Sequence, residues 1–186
     1  MLQSLTNYFQ YNIQGLINFG AGSLSLSVGL LVLLNDFKSK LHRSFFLISL
    51  TGSIWLLTYS MIYMVQDTAH AYFWLGVGYL TGVSFISPSV YLFSVRWTHQ
   101  RIKPWLIPFS YITGLILGLT MFLFTEEICG FRPHSWGRLN SYGETLFSRI
   151  YLVFFITHFF SFASMAFWYI FQAWRKAASP NDKIQY

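Results

Sequence analysis

One histidine has both the residue type and the position to do chemistry inside a hydrophobic segment. His158 lies within a long apolar run, and an ionisable group at such depth in a hydrocarbon-length segment indicates a functional site. The side chains spaced three, four or seven residues along the same helix face are Tyr151, Ser161, Met165 and Gln172. This face predicts proton exchange or ligand contact. The alternative is a neutral histidine that hydrogen-bonds to a neighbouring helix.

An imidazole at this depth is also a potential axial ligand for haem or a chlorin. A haem with two histidine ligands needs a second histidine at matching depth. The others fall in predicted loops or at helix ends: His42, His70, His99 and His134. The sequence therefore requires no cofactor, and leaves a bound lipid, quinone or pigment open.

A second polar feature surrounds a proline within another apolar segment. Pro88 lacks a backbone N–H and frees the carbonyl one turn earlier, which predicts a kink with nearby hydroxyls as replacement partners. Ser87, Ser89 and Tyr91 flank it. A kinked polar helix can line a small-molecule cavity. It can equally be a packed interior helix, because hydroxyls commonly join helices in membranes.

The connection 125–149 holds most of the remaining polar chemistry. Four of its residues are of types that can bind a metal, but their spacing matches no structural zinc site. They are Glu126, Glu127, Cys129 and His134. Arg149 is expected either to pair with one of the two glutamates or to receive an anionic ligand, and Trp136 is a further candidate ligand contact. The chain lacks a Gly-rich phosphate loop, a zinc-protease pair and an intramembrane aspartate pair. We therefore expect no catalytic site and no metal.

These groups must be positioned by membrane helices. Of the 186 residues, 54% are hydrophobic and 10% charged, far from the roughly one quarter charged that is usual in soluble domains. Five nearly uncharged stretches are each long enough to cross about 30 Å of hydrocarbon. They are residues 15–34, 44–65, 71–95, 105–124 and 150–174. The fold class predicted is all-α, a five-span polytopic membrane bundle, with an interfacial lead-in (1–14), an ordered cap or short hairpin (125–149) and a tail (175–186).

The positive charge follows a topology pattern. Nine of the twelve basic residues fall on one side of the predicted spans: Lys38, Lys40, Arg43, Arg96, Arg101, Lys103, Arg175, Lys176 and Lys183. The positive-inside rule then puts the N-terminus outside and the C-terminus in the cytoplasm, in a bacterial or archaeal cytoplasmic membrane. This distribution explains the net charge of +6 without a nucleic-acid partner. The first span is too long for a signal peptide and is expected to remain.

Small residues at four-residue spacing allow helix backbones to approach one another. Such pairs are Gly78 with Gly82, Gly114 with Gly118, and Ser23 with Ser27. They predict packing within the bundle, with a homodimer seam as the alternative. The expected partners are membrane lipids and either protein subunits or a second copy of the chain.

The segment from Ser53 to Trp97 resembles the N-terminal seven-helix sensor region of bacterial histidine kinases and diguanylate cyclases. The shared features are a Trp and a Tyr in the second span, a short acidic turn, an aromatic start to the third span, and a Gly, a Pro and a Tyr-Leu-Phe stretch ending in Arg-Trp. The pairs Trp136-Gly137 and Tyr142-Gly143 resemble the motif before the fifth helix, and residues 181–186 resemble the lead-in to the sixth.

This resemblance implies a sensor-like helical bundle, truncated after its fifth helix and without an output domain. A ligand would favour one helix arrangement, and output would need a partner. The alternative is a structural or accessory subunit of a respiratory or photosynthetic membrane complex. The 20 Phe, 12 Tyr and 7 Trp would then contact lipid, quinone or pigment.

Overall fold

Five helical spans of membrane length make up most of the protein. A computed structural model describes residues 12–134 and 137–176. The prediction of a mainly helical protein with five potential membrane spans is confirmed. In chain order the helices are α1 (Ile13–Asn35), α2 (Lys40–Met64), α3 (Thr68–Gly78), a π-helical turn (Tyr79–Val83), α4 (Ser84–Trp97), α5 (Leu106–Leu123), the short α6 (Thr125–Ile128) and α7 (Leu146–Lys176). Most of the predicted lead-in and tail lies outside the described residues.

Capping side chains set the helix starts. The Ser39 hydroxyl accepts a hydrogen bond from the His42 N–H at 3.3 Å, so α2 begins four residues before the predicted span. The Thr145 hydroxyl likewise accepts from the Ser148 N–H at 3.0 Å, and α7 begins at Leu146. Hydropathy locates the apolar centre of a span, whereas the cap satisfies the first unpaired N–H groups and so fixes its start.

The third span, formed by α3, the π-helical turn and α4, is the central helix of the bundle. In its most apolar stretch 67% of residues are buried, against 11% in α1. Gly78 and Gly82 face α2, where an added Cβ at Gly82 would lie 2.9 Å from the Trp55 nitrogen. From the other side, an added Cβ at Gly118 of α5 would lie 2.9 Å from Leu80 Cα. These glycines bring three backbones into contact within one chain.

The outermost helix, α1, is held against α2 by a different set of small residues. Gly15, Gly22 and Gly29, spaced by seven, are its buried residues, and a Cβ at Gly22 would lie 3.2 Å from the Ser53 carbonyl oxygen. Ser27 is exposed and donates its hydroxyl to the Ser23 carbonyl at 2.8 Å. Ser27 therefore does not pack within the bundle, contrary to the first of the two expectations for this pair, and the homodimer seam stays a prediction. A heptad of glycines makes the contact between α1 and α2, because only they let the two backbones approach.

The connection before the last span is a β-hairpin. Strand β1 (Cys129–His134) pairs antiparallel with β2 (Gly137–Tyr142), with Cys129 opposite Tyr142. The chain then turns through Gly143 at φ +84°, a left-handed conformation that glycine adopts without steric penalty. We call this end of the bundle the hairpin end. The opposite end, where α1 meets α2, α4 meets α5 and α7 ends, is the basic end.

Candidate functional site

Three helices meet at His158, near the middle of α7. Its side chain is 8% exposed. Nδ1 lies 3.1 Å from the Thr113 hydroxyl oxygen of α5. On its other side, Nε2 lies beside Gly114, where an added Cβ would be 3.5 Å from Nε2 and 2.7 Å from the Ser84 carbonyl oxygen of α4. The absence of a side chain at Gly114 thus allows the histidine, α5 and the start of α4 to meet.

The Ser84 carbonyl lacks its usual hydrogen-bond donor within the helix. In a regular α-helix it would accept the N–H of the residue four positions later, which is Pro88 and has none. The predicted freed carbonyl is therefore directed toward α5 and α7. His158 Nε2 is its neighbour but forms no hydrogen bond of normal geometry.

Further buried polar atoms without partners lie along the same side of α4. Ser84, Ser87 and Tyr91 share one helix face at three- and four-residue spacing. The Ser84 and Ser87 hydroxyl oxygens are buried and, within the described part of the chain, have no hydrogen-bond partner, whereas the buried Tyr91 hydroxyl lies beside Tyr169 of α7. The Tyr91 ring, fully buried, packs against Phe162 and Tyr169 of α7 at centroid distances of 5.5 Å and 6.0 Å. We call this set, with His158, the polar seam between α4 and α7.

The π-helical turn lies directly before the polar seam and is tied to the hairpin. The Tyr79 hydroxyl at its start lies 3.0 Å from the Tyr142 hydroxyl of β2. Asn140 of the same strand donates its side-chain amide to the Tyr142 hydroxyl at 3.2 Å and to the Tyr59 hydroxyl of α2 at 2.6 Å. A hydrogen-bonded network therefore joins the hairpin to the irregular part of the third span. Such π-helical turns frequently mark functional sites.

An open groove of about 620 Å³ runs between α5 and α7. Its walls are apolar and largely aromatic: Leu106, Phe109, Ile116, Ile150, Phe154 and Phe162. Polar lining is confined to a few positions, and at the middle of the groove it is formed by Thr113, Thr157, His158 and Ser161. The hydrogen bond between Thr113 and His158 thus lies at the inner wall of the groove.

The other predicted site residues have separate surroundings. Ser89 is fully buried, but its hydroxyl lies 3.2 Å from the Tyr111 hydroxyl of α5, away from His158. Arg149 is exposed at the hairpin end, where its Nε donates to the Gly143 carbonyl at 2.8 Å. Among the described residues it forms no ion pair with Glu126 or Glu127. A separate ion pair at this end joins Arg132 and Glu144 at 3.5 Å. Trp136 lies outside the described residues.

The sequence model of the family described as the N-terminal 7TM region of histidine kinase matches residues 18–185. The chain belongs to this family. The resemblance inferred from the residues is therefore confirmed, and this 7TM-family chain is a membrane protein of signal transduction. No curated protein and no solved structure matches it.

The family description names seven transmembrane helices, whereas the described part of this 7TM-family chain contains five of membrane length. The family region is a signal-input region and not a catalytic one. Within it, the structure packs two of the predicted site residues, His158 and Tyr91, against the same ring, Phe162, and buries Ser87 on the face of α4 that carries Tyr91. It places Ser89 on another contact and Arg149 at the hairpin end.

Two parts of the arrangement in this 7TM-family chain were missed by sequence reasoning. Thr113 immediately precedes Gly114, so the glycine pair already marked the helix face beside it, but nothing local indicated a contact with His158. Asn140 and Tyr142 lie in a strand whose alternation, with both side chains on one face, could have indicated that this face covers the bundle. The π-helical turn at Tyr79–Val83 had no sequence signal of its own.

Proposed function

We propose that this chain is a non-catalytic signal-input bundle in which a stimulus shifts α4 and α7 between two arrangements, and that the shift is passed on at the basic end. The observation that carries the proposal is the polar seam. It combines buried polar atoms without partners with a span that is interrupted by a π-helical turn and by Pro88.

An incompletely bonded seam supports two arrangements of similar free energy. A buried polar group without a partner costs about 1–3 kcal/mol, so a helix movement that pairs such groups is compensated by new hydrogen bonds. His158 Nε2 and the Ser84 carbonyl are one pair that a small movement would join. A stimulus that interacts differently with the two arrangements then changes their populations.

The route from the seam to the basic end follows packed side chains. From Tyr91 toward the basic end, the contact between α4 and α7 continues through Val95 and Ala166, which are both buried in one apolar cluster. At the basic end, the Arg96 guanidinium donates to the Lys40 carbonyl at 2.8 Å and so ties α4 to α2. In a kinase with an N-terminal membrane region the catalytic module follows that region. Output would therefore come from a kinase module beyond α7 or on a partner chain.

The charge distribution supports a cytoplasmic basic end. Within the described residues, the basic end carries a large excess of positive charge: Lys38, Lys40, Arg43, Arg96, Arg101, Lys103, Arg175 and Lys176. The hairpin end mixes arginines with Asp67, Glu126, Glu127 and Glu144. We therefore propose a multi-pass protein of a bacterial or archaeal cytoplasmic membrane, with the hairpin outside. No observation favours the accessory-subunit alternative.

Distance measurements between spin labels test the two-arrangement proposal. Labels at Arg101→Cys, in the connection that follows α4, and at Lys176→Cys, the last residue of α7, report the separation of these two helix ends at the basic end, in a Cys129→Ser background of the full chain in lipid nanodiscs. We expect a distribution with two populations whose ratio changes in Thr113→Val, because valine removes the Nδ1 partner of His158. Ser164 is exposed on the same helix as His158, so the control variant Ser164→Ala should leave the ratio of the two populations unchanged.

A second measurement connects the movement to output. The full chain is joined in place of the input region of a histidine kinase, and autophosphorylation is measured in membrane vesicles. Thr113→Val and His158→Gln should change the basal rate in the same order as they change the population ratio. A single, unaltered distance distribution together with the same rate in every variant would rule the proposal out.

A further inference from the structure

We infer that the groove between α5 and α7 binds a neutral, lipid-soluble ring that carries carbonyl groups and a hydrocarbon tail, the chemistry of a membrane quinone. This inference rests on the proposed function and names the class of molecule whose binding would act on the polar seam. The groove's volume of about 620 Å³ is within the usual range of small-molecule sites, roughly 300–1,000 Å³.

The polar positions in the groove indicate a ligand with hydrogen-bonding groups. Thr157 and Ser161 are exposed into the groove and are one helical turn apart, on the same side of His158 around the helix. In the described structure no hydrogen bond joins either hydroxyl to another residue, unlike the hydroxyl of Thr120, which donates to the Ile116 carbonyl at 2.9 Å. Hydrocarbon offers such hydroxyls no partner. A ligand carbonyl at this depth would accept from them.

These hydroxyls lie too deep in the bilayer for the polar headgroups of ordinary lipids to reach them. Ser161 is the central residue of α7, which spans Leu146–Lys176, so its hydroxyl lies near the middle of the bilayer. A phospholipid headgroup or a fatty-acid carboxylate remains at the membrane surface, because moving a charge to this depth is costly. The groove lining also contains no lysine, arginine, aspartate or glutamate that could pair with a charged ligand. The ligand should therefore be neutral.

The walls suit a flat ring with a tail. Phe109, Phe154 and Phe162 surround the polar positions, and aromatic rings pack favourably on flat faces. Toward the hairpin end the lining continues as Ile116 and Ile150. A hydrocarbon tail can lie along these side chains while the ring carbonyls reach the hydroxyls. A saturated chain alone would fill the groove but leave Thr157 and Ser161 unpaired.

Such a ligand would contact the polar seam directly. Thr113 is both a lining residue and the partner of His158 Nδ1, at 3.1 Å. A ring that pushes α5 away from α7 lengthens the contact between the Thr113 hydroxyl and His158 Nδ1, and so changes the bond which holds His158. Binding would then favour one of the two arrangements proposed above.

Photo-crosslinking of the full chain in nanodiscs tests this site, with an azido-benzoquinone bearing a ten-carbon tail as the probe. We expect labelled residues in α5 near Phe109–Thr113 and in α7 near Thr157–Ser161. Decylubiquinone should compete with the probe, and decanol at the same concentration should not. The double change Thr157→Ala and Ser161→Ala should weaken competition by decylubiquinone about two- to tenfold per hydroxyl removed. Ser164→Ala, an exposed hydroxyl of the same helix outside the groove, is the matched control.

The outcomes separate this inference from the proposed function. Equal competition by decanol means that the groove holds acyl chains only, and labelling outside α5 and α7 means that it holds no quinone; either result overturns the inference. If quinone is not bound but Thr113→Val still changes the spin-label distances, the signal-input proposal stands alone. If quinone is bound but the spin-label distances are the same in every variant, the proposed helix movement is contradicted and the binding site is still supported.

Discussion

At the scale of single residues, Gly114 decides whether the polar seam can form. A Cβ there would lie 2.7 Å from the Ser84 carbonyl oxygen, and backbone cannot move aside cheaply. Gly114→Ala should therefore destabilise the protein by about 1–3 kcal/mol through overpacking. The measurement is the unfolding midpoint in detergent, compared with wild type.

Gly52→Ala is the matched control for this prediction, since nothing lies within 4 Å of the added Cβ. Alanine has the higher helix propensity, so this change should be neutral or stabilising, by up to about 1 kcal/mol. If both alanine variants unfold at the same midpoint, close approach at Gly114 is not what holds α5 against α4.

A second residue-scale prediction concerns the single cysteine. Cys129 begins β1 and is 1% exposed, and burial raises the pKa of its thiol to about 12. Only the thiolate reacts with maleimides, so at pH 8 the folded protein should react about a thousandfold more slowly than an unperturbed cysteine. The rate of N-ethylmaleimide addition in mild detergent, compared with the rate after unfolding in strong detergent, measures this.

The same pKa gives a direction for the pH dependence of stability. Because the folded pKa is raised, this group favours the folded state fully below the unfolded pKa of about 9 and progressively less as the pH rises toward 12. Unfolding midpoints should therefore fall above pH 9 in the wild type. In Cys129→Ala that part of the decline should disappear, whereas an identical decline would show that the thiol is not buried in solution.

At the scale of elements, Pro88 should keep the third span irregular. Pro88→Ala supplies an N–H that can donate to the Ser84 carbonyl and restore a regular helix. We expect amide hydrogen exchange between Ser84 and Leu92 to slow by about tenfold or more, since the segment gains backbone bonding and loses its irregularity. The two spin-label populations should merge into one.

Pro108→Ala provides the comparison for that experiment. Pro108 is exposed in the first turn of α5, where a missing N–H costs nothing because first-turn N–H groups have no helical acceptor. Exchange along α5 should therefore remain as in the wild type. Unchanged exchange in Pro88→Ala would mean that the seam's irregularity comes from the π-helical turn alone.

These elements also show how far the sequence could predict the structure. Helix positions were predictable because a bilayer imposes a minimum apolar length. The freed carbonyl before Pro88 was predictable because proline chemistry is local. The partner of His158 was not, because Thr113 is 45 residues away and only packing brings it close. The π-helical turn at Tyr79–Val83 was not predictable either, because no local sequence pattern indicates it.

The glycine heptad of α1 illustrates the same limit. Gly15, Gly22 and Gly29 were present in the sequence, but the four-residue spacing of Ser23 and Ser27 resembled the better-known motif for close packing. Both sets lie on one helix, and only the position of α2 decides which set faces it. The spacing of small residues therefore predicts that a helix packs closely against another helix, but it does not predict which face makes the contact.

At the scale of the whole molecule, the hairpin network and the groove act on the same span from two directions. The hairpin contacts the start of the π-helical turn through Tyr142 and Tyr79. The groove contacts the end of that turn through Thr113, His158 and the Ser84 carbonyl. Under the proposed function, a change at either site would shift α4, and the seam would combine the two inputs before they reach the basic end.

In the proposed orientation the hairpin end and the basic end face opposite sides of the membrane. Single-cysteine labelling tests this orientation. In a Cys129→Ser background, Glu126→Cys at the hairpin end and Arg101→Cys at the basic end are both exposed. In intact bacterial cells a membrane-impermeant maleimide should modify Glu126→Cys and spare Arg101→Cys until the cells are opened, because basic loops are retained in the cytoplasm. The reverse pattern would invert the proposed orientation, and modification of both in intact cells would contradict a membrane-spanning α5, the helix that separates the two positions.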